Sequence, residues 1–181
     1  MDLERKFCAV EGDLSLTDGS VIEGYASLFG ARDQGGDTVE PGAYAASLDA
    51  LKARGGRIKM LWQHDPAQPI GVWDEVREDA TGLYVKGRIL TDIDRGREAA
   101  SLIAAGAIDG LSIGYRTRRA VKDGKGRRLL SELELWEVSL VTFPMLPEAR
   151  LGGAKAADAD TDPLREMAAI FRTAARELAG G

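Results

Sequence analysis

A single cysteine and a single histidine in 181 residues leave this chain poor in the side chains that staple or metallate small domains. Cys8 has no partner for an internal disulfide, and without a Cys/His cluster a structural zinc site is not expected. Cys8 itself reads as a packed strand residue rather than a nucleophile. No apolar run approaches the roughly 18 residues that a membrane-spanning helix needs. The opening MDLERKFCAV mixes acids and bases without the apolar stretch of a secretory signal. Positive charge is also short. Lys and Arg number 24 against 29 Asp and Glu, a formal net charge of −5, so general attraction to a phosphate backbone is not expected, although the run RTRRAVKDGKGRR is locally basic. The expectation is a soluble protein of a reducing compartment, with no cofactor, no metal, no specific nucleic acid and no membrane among its partners.

What is present suits one domain with a real core: 44% of residues are hydrophobic, 29% are charged, and glycine is plentiful at 22. The periodicity alternates between two and 3.6 along the chain. KFCAVEGDLSL and SVIEGYASLFG read as strands around the turn TDG, followed by a polar loop, ARDQGGDTVEPG. AYAASLDALKARGG is a short helix, with Pro41 and Gly42 before it and Gly55 after it. RIKMLWQ is a strand that runs into His64. IGVWDEVRED and GLYVKGRILT pair across DATG. DRGREAASLIAAG is a second helix, stopped by Gly106. IDGLSIGYRTRRAV and RRLLSELELWEVSLVTF are the last strands, joined by KDGKG. About seven strands with two helices, and no βαβαβ alternation, predict a mainly β protein with flanking helices (α+β), built as a closed or nearly closed antiparallel β-barrel.

After PMLPEARLGG the character changes. The organisation expected is a β-barrel domain over 1–151, a flexible linker over 152–163 rich in Ala and Asp, and an amphipathic helix over 164–179. Leu164, Met167, Ala168, Phe171, Ala175 and Leu178 share one stripe of that helix. It can pack on the domain, dock on a partner or serve as a removable tail.

Three residues have the chemistry to activate a weak nucleophile. In GLSIGY, strict alternation puts Ser112 and Gly114 on one face, opposite Leu111, Ile113 and Tyr115, which leaves room beside the hydroxyl for a substrate. In LELWEVSLV the same alternation puts Glu137 on the face of Leu133 and Leu135, and a carboxylate among apolar neighbours needs a partner. With His64 these supply a hydroxyl, a base and an acid that orients the base. Plainer roles stay open: a histidine at a strand end, a serine in a ladder, a glutamate paired with Arg88, Arg116 or Arg118. A metal-dependent hydrolase using His64 with Asp65 and Asp37 is weakened by the single histidine.

Taken in order, YASLFGARDQGGDTVEPGAYAASL, MLWQHDPAQPIGVW, GLYVKGRI, GLSIGYRT and LWEVSLVTFPMLPEA resemble the prohead (procapsid maturation) protease family of tailed bacteriophages. The resemblance covers about residues 20 to 150. That family is related to the herpesvirus assemblins, serine proteases on a closed β-barrel. The resemblance implies a serine endopeptidase with Ser112 as nucleophile, His64 as base and Glu137 as third member, with Glu134 and Asp65 as rivals for that last role. It leaves the oxyanion hole without a matching segment, Arg150 being the residue considered for it. The implied substrate and partner is the scaffold or delta region of the major capsid protein, cut inside an assembling prohead in the bacterial cytoplasm, followed by autoproteolysis. Self-association is a further implied contact. The other reading is an inactive capsid-assembly or scaffolding factor on the same fold.

Overall fold

The computed structural model describes residues 4–7, 15–17, 20–33, 35–124 and 126–143. In chain order these form β1 (Glu4–Phe7), β2 (Ser15–Thr17), β3 (Val21–Leu28), β4 (Thr38–Val39), α1 (Ala45–Ala53), β5 (Lys59–Trp62), β6 (Asp65–Glu78), β7 (Gly82–Ile89), α2 (Asp94–Ala104), β8 (Gly110–Lys122) and β9 (Arg128–Val141). Strand content dominates as the sequence predicts, and both helices lie where their 3.6 periodicity puts them. Each helix is followed by a glycine at positive φ, Gly55 at 64° and Gly106 at 69°, a conformation that β-carbon-bearing residues disfavour.

One sheet, which curls as a half-barrel, contains every described strand. Its hydrogen-bonded path runs β1-β8-β9-β5-β6-β7-β3-β2, with β4 beside β9. Two parts of the sequence expectation need correction. The sheet is mixed rather than antiparallel, because β4 and β5 both run parallel to β9. The reason is the α1 crossover between them, since parallel placement requires a long connection where a hairpin would reverse the chain. Among the described residues the path also has two free ends, β1 and β2, with no pairing that joins them. KFCAVEGDLSL, read as one strand, supplies parts of both: β1 pairs with β8, whereas β2 forms the expected hairpin with β3.

Apolar alternation explains the core. Ile22, Ala26, Val39, Tyr44, Met60, Ile70, Leu83, Val85, Ile113, Leu130, Val138 and Leu140 are all buried, each large aliphatic side chain contributing about 1.5–3 kcal/mol of transfer free energy. Gly96, Ala99, Ala100 and Ile103 form the buried stripe of α2. Helix α1 has no side-chain cap of its own. The turn that leads into it is held from β6 instead, where the Glu78 carboxylate accepts from Gly42 N–H and, at 3.1 Å, from the N–H of Tyr44, the N-cap residue. A negative charge there also complements the helix dipole.

The expected C-terminal linker and helix (152–179), together with Cys8 and Arg150, lie outside the described residues.

Candidate active site

His64 is placed by a turn rather than by a strand end. β5 stops at Trp62, β6 starts at Asp65, and Trp62 and Asp65 are cross-strand partners. Gln63 and His64 therefore form a two-residue hairpin loop, with φ of 52° and 62°. Positive φ at both central positions is the type I′ arrangement, which normally selects Asn and Gly. Residues with a β-carbon are held there by contacts to β9. Gln63 N–H donates to Leu140 O at 3.0 Å, and its side-chain amide donates to Thr142 Oγ1 at 2.7 Å. The DPAQP segment opens β6. Its prolines are accommodated because the β5–β6 register shifts twice, between Met60 and Leu61 and between Leu61 and Trp62.

Ser112 and Glu137 reach the same face through an irregularity. Gly114 pairs with Glu137 and the next β8 residue, Tyr115, pairs with Leu135, so Trp136 is the extra residue of a β-bulge. Plain alternation would keep Glu137 with Leu133 and Leu135. The bulge moves it to the opposite face, which it shares with Gly114, Ser112 and Ser139. Leu135 N–H then finds a partner outside the ladder, donating to Ser47 Oγ on α1 at 3.0 Å. The space left by Gly114 is occupied too: a β-carbon there would sit 2.0 Å from Glu137 Oε1. Gly114 thus makes room for the carboxylate, not for a substrate as alternation alone suggests.

The three side chains form one hydrogen-bonded series. Glu137 Oε1 lies 2.5 Å from His64 Nδ1, and His64 Nε2 lies 2.6 Å from Ser112 Oγ. A carboxylate only accepts, so Nδ1–H donates to Glu137 and Nε2 is left to accept the Ser112 hydroxyl proton. Burial is nearly complete: Ser112 has no exposed surface, and Glu137 and His64 are 4% and 7% exposed. Hydrogen bonds in such a low-dielectric setting are stronger than in water, and leaving one unmade costs more.

The rival carboxylates are committed elsewhere. Glu134 is ion-paired with Arg118 at 2.5 Å and Arg116 at 3.6 Å. Asp65 accepts from Gln68 Nε2 and Ala67 N–H, which hold its carboxyl below the usual range. Asp37 pairs with Arg128 at 3.5 Å, and Arg88 pairs with Asp74. Among the described residues no group of three or more His, Cys, Asp or Glu is placed to hold a metal ion. Ser139 is the site residue that sequence reasoning missed. Its hydroxyl is fully buried, donates to Glu137 Oε2 at 2.5 Å and accepts from His64 N–H at 3.2 Å. The available signal was a second small hydroxyl two positions beyond Glu137. A cleft of about 510 Å³ between α1 and β6, lined by Leu48, Leu51, Ile58, Trp73 and Val76 among others, touches none of these four residues.

A mainly β sheet that brings a buried serine, histidine and glutamate together in hydrogen-bonded order holds a hydroxyl, a base and an acid in the sequence that nucleophilic chemistry needs. The chain belongs to the caudovirus prohead serine protease family, whose profile matches residues 9–162. It is 31% identical over 144 residues to the prohead protease of Enterobacteria phage HK97, covering 76% of this chain and 61% of that protein. It is 30% identical over 135 residues to the prohead protease of Escherichia phage T5, covering 74% and 62%. A capsid polyprotein of Pseudomonas phage PAJU2 is 32% identical over 123 residues, which is 61% of this chain and 18% of the polyprotein. The chain thus spans about three fifths of the two prohead proteases. Its fold resembles that of the bacteriophage T4 capsid assembly protease, with a TM-score of 0.61 at 16% identity over 77% of this chain and 96% of that one.

Proposed function

We propose that the chain is a serine endopeptidase that cuts the scaffold or delta region of the major capsid protein, and then itself, inside an assembling prohead in the bacterial cytoplasm. The observation that carries this reading is the buried Ser112–His64–Glu137 series in a member of a prohead serine protease family. Similarity to a segment of a capsid polyprotein supports the capsid protein as partner. The order of histidine before serine along the chain supports a relationship to the assemblins in the site, and residues 1–151 are taken as the protease domain.

In this reading Ser112 Oγ attacks the scissile carbonyl carbon while His64 Nε2 takes its proton. The imidazolium is stabilised across Nδ1–H by the Glu137 carboxylate. His64 then returns the proton to the leaving amine, and water releases the acyl group by the same steps. Because Ser112 has no exposed surface, a peptide reaches Oγ only after a local rearrangement of the site. Exclusion of water strengthens each electrostatic contact once substrate is in place.

Co-expression with the cognate capsid protein, read by intact mass, tests the proposal. The unaltered chain shortens the capsid protein, whereas Ser112→Ala and His64→Ala leave it whole. Processing that persists in Ser112→Ala overturns the assignment.

A further inference from the structure

We infer that Ser139 is a positioning residue that holds the base and its carboxylate partner in register from a single hydroxyl. The inference rests on the reading of Ser112, His64 and Glu137 as a catalytic series. Ser139 lies at the centre of the sheet, paired across to Ser112 on β8 and to Leu61 on β5, and it is fully buried. The donor of its hydroxyl and one of its two lone pairs are directed at the site. The proton goes to Glu137 Oε2 at 2.5 Å, and a lone pair receives His64 N–H at 3.2 Å.

Each contact removes one freedom that the series cannot tolerate. Glu137 has two oxygens, and only Oε1 faces the imidazole. Without a donor on Oε2 the carboxylate is free to turn about its last bond and present either oxygen at a poorer angle. His64 sits at φ 62°, a backbone state that residues with a β-carbon keep only when surrounding contacts determine it. The Ser139 oxygen on its N–H is one such contact, and it acts on the same residue whose ring must lie between Oε1 and Ser112 Oγ. A hydroxyl in this place therefore couples the turn that carries the base to the bulged strand that carries the acid.

The single histidine makes the test direct, since every imidazole resonance of the chain belongs to His64. In the full-length protein, proton NMR is expected to show the Nδ1 proton far downfield of the amide envelope, and a fluorophosphonate probe is expected to label Ser112. Ser139→Ala should keep a cooperative thermal transition yet lose the downfield resonance to exchange, with labelling slowed roughly ten- to a hundredfold, the scale on which small misplacements act. A Ser139→Ala protein with unaltered resonance and labelling rate overturns the inference. If that variant does not fold, Ser139→Cys decides, as it keeps a weak donor in nearly the same volume. A weakened resonance and intermediate labelling support positioning, and unaltered values refute it. If the full chain takes no probe while the resonance is present and disappears in Ser139→Ala, the protease reading fails and the positioning role stands.

Discussion

Holding Gln63 and His64 at positive φ costs about 1–2 kcal/mol for each residue with a β-carbon, and this cost is offset by bonds that converge on β9. The same convergence makes neighbouring carboxylates unequal. Glu137→Gln keeps the shape of the side chain but removes the charge that favours imidazolium and the Nδ1–H tautomer. Cleavage is expected to fall roughly ten- to a thousandfold, within the ten-thousandfold ceiling of the equivalent change in well-studied serine proteases. Glu134→Gln, which loses only partly exposed pairs with Arg116 and Arg118, should cleave at near-normal rates, because such pairs contribute about 0–1 kcal/mol. Cleavage kinetics with Glu134→Gln the worse of the two would move the third role. Gly114→Ala gives a sharper expectation, since the added methyl overlaps Glu137 Oε1. Overpacking of this kind costs about 1–3 kcal/mol. We expect a lowered thermal midpoint together with activity at or below that of Glu137→Gln, whereas normal activity would mean that Glu137 can vacate its place.

Turns and bulges decide how the elements meet. At the β6–β7 hairpin, burial tends to raise the Asp79 carboxyl, but the N–H groups of Thr81 and Gly82, the Tyr25 hydroxyl and Arg77 outweigh it and bring the pKa to about 2. The folded-state value lies below the unfolded value of about 3.9, so this contribution is present in full above that pH and is lost as pH falls toward and through about 2. Asp74 and Glu23, each lowered by a hydrogen bond from a basic side chain, Arg88 and Lys86 respectively, act in the same sense. Thermal midpoints of the unaltered chain and Asp79→Asn should therefore differ at pH 6 and converge as the pH is taken down to about 2. A constant difference across that range would assign the turn's stability to shape rather than charge. The bulge on β9 has its own signature. Trp136 is 43% exposed, so Trp136→Ala should retain activity. Deleting residue 136 should also leave Glu137 on the face of Ser112, because Leu135 and Glu137 then become neighbours that alternate to opposite faces without a bulge. Cleavage lost in the deletion but not in Trp136→Ala would show that the bulge itself is needed.

For the molecule as a whole, all nine described strands and both helices end by Val141. Their core is continuous from β3 through β9 and both helices, so truncation after Leu151 is expected to leave a protein that unfolds cooperatively. A broad, non-cooperative transition in circular dichroism would show that residues beyond 151 complete the core. The only charge-rich segment that hinted at nucleic acid, RTRRAVKDGKGRR, is largely neutralised where it is described. Arg118 pairs with Glu134, Arg119 with Glu132 and Arg127 with Asp123. These pairs leave it a solvated hairpin face rather than a free basic patch.

The strand-rich class, both helices and their glycine stops, and the β2–β3 and β6–β7 hairpins were legible in the sequence because they depend on local periodicity and turn chemistry. So was the reason for examining His64, Ser112 and Glu137: few residue types carry that chemistry, and two of the three interrupt apolar runs. Three features depended on chain segments far apart in sequence. The parallel pairing of β5 with β9 brings the Gln63–His64 turn beside Leu140 and Thr142. The bulge at Trp136 turns Glu137 toward Ser112, and Gly114, which sequence reading reserved for a substrate, is filled by that carboxylate. Alternation along one strand states which residues share a face, but only pairing with the neighbouring strand reveals where the alternation breaks.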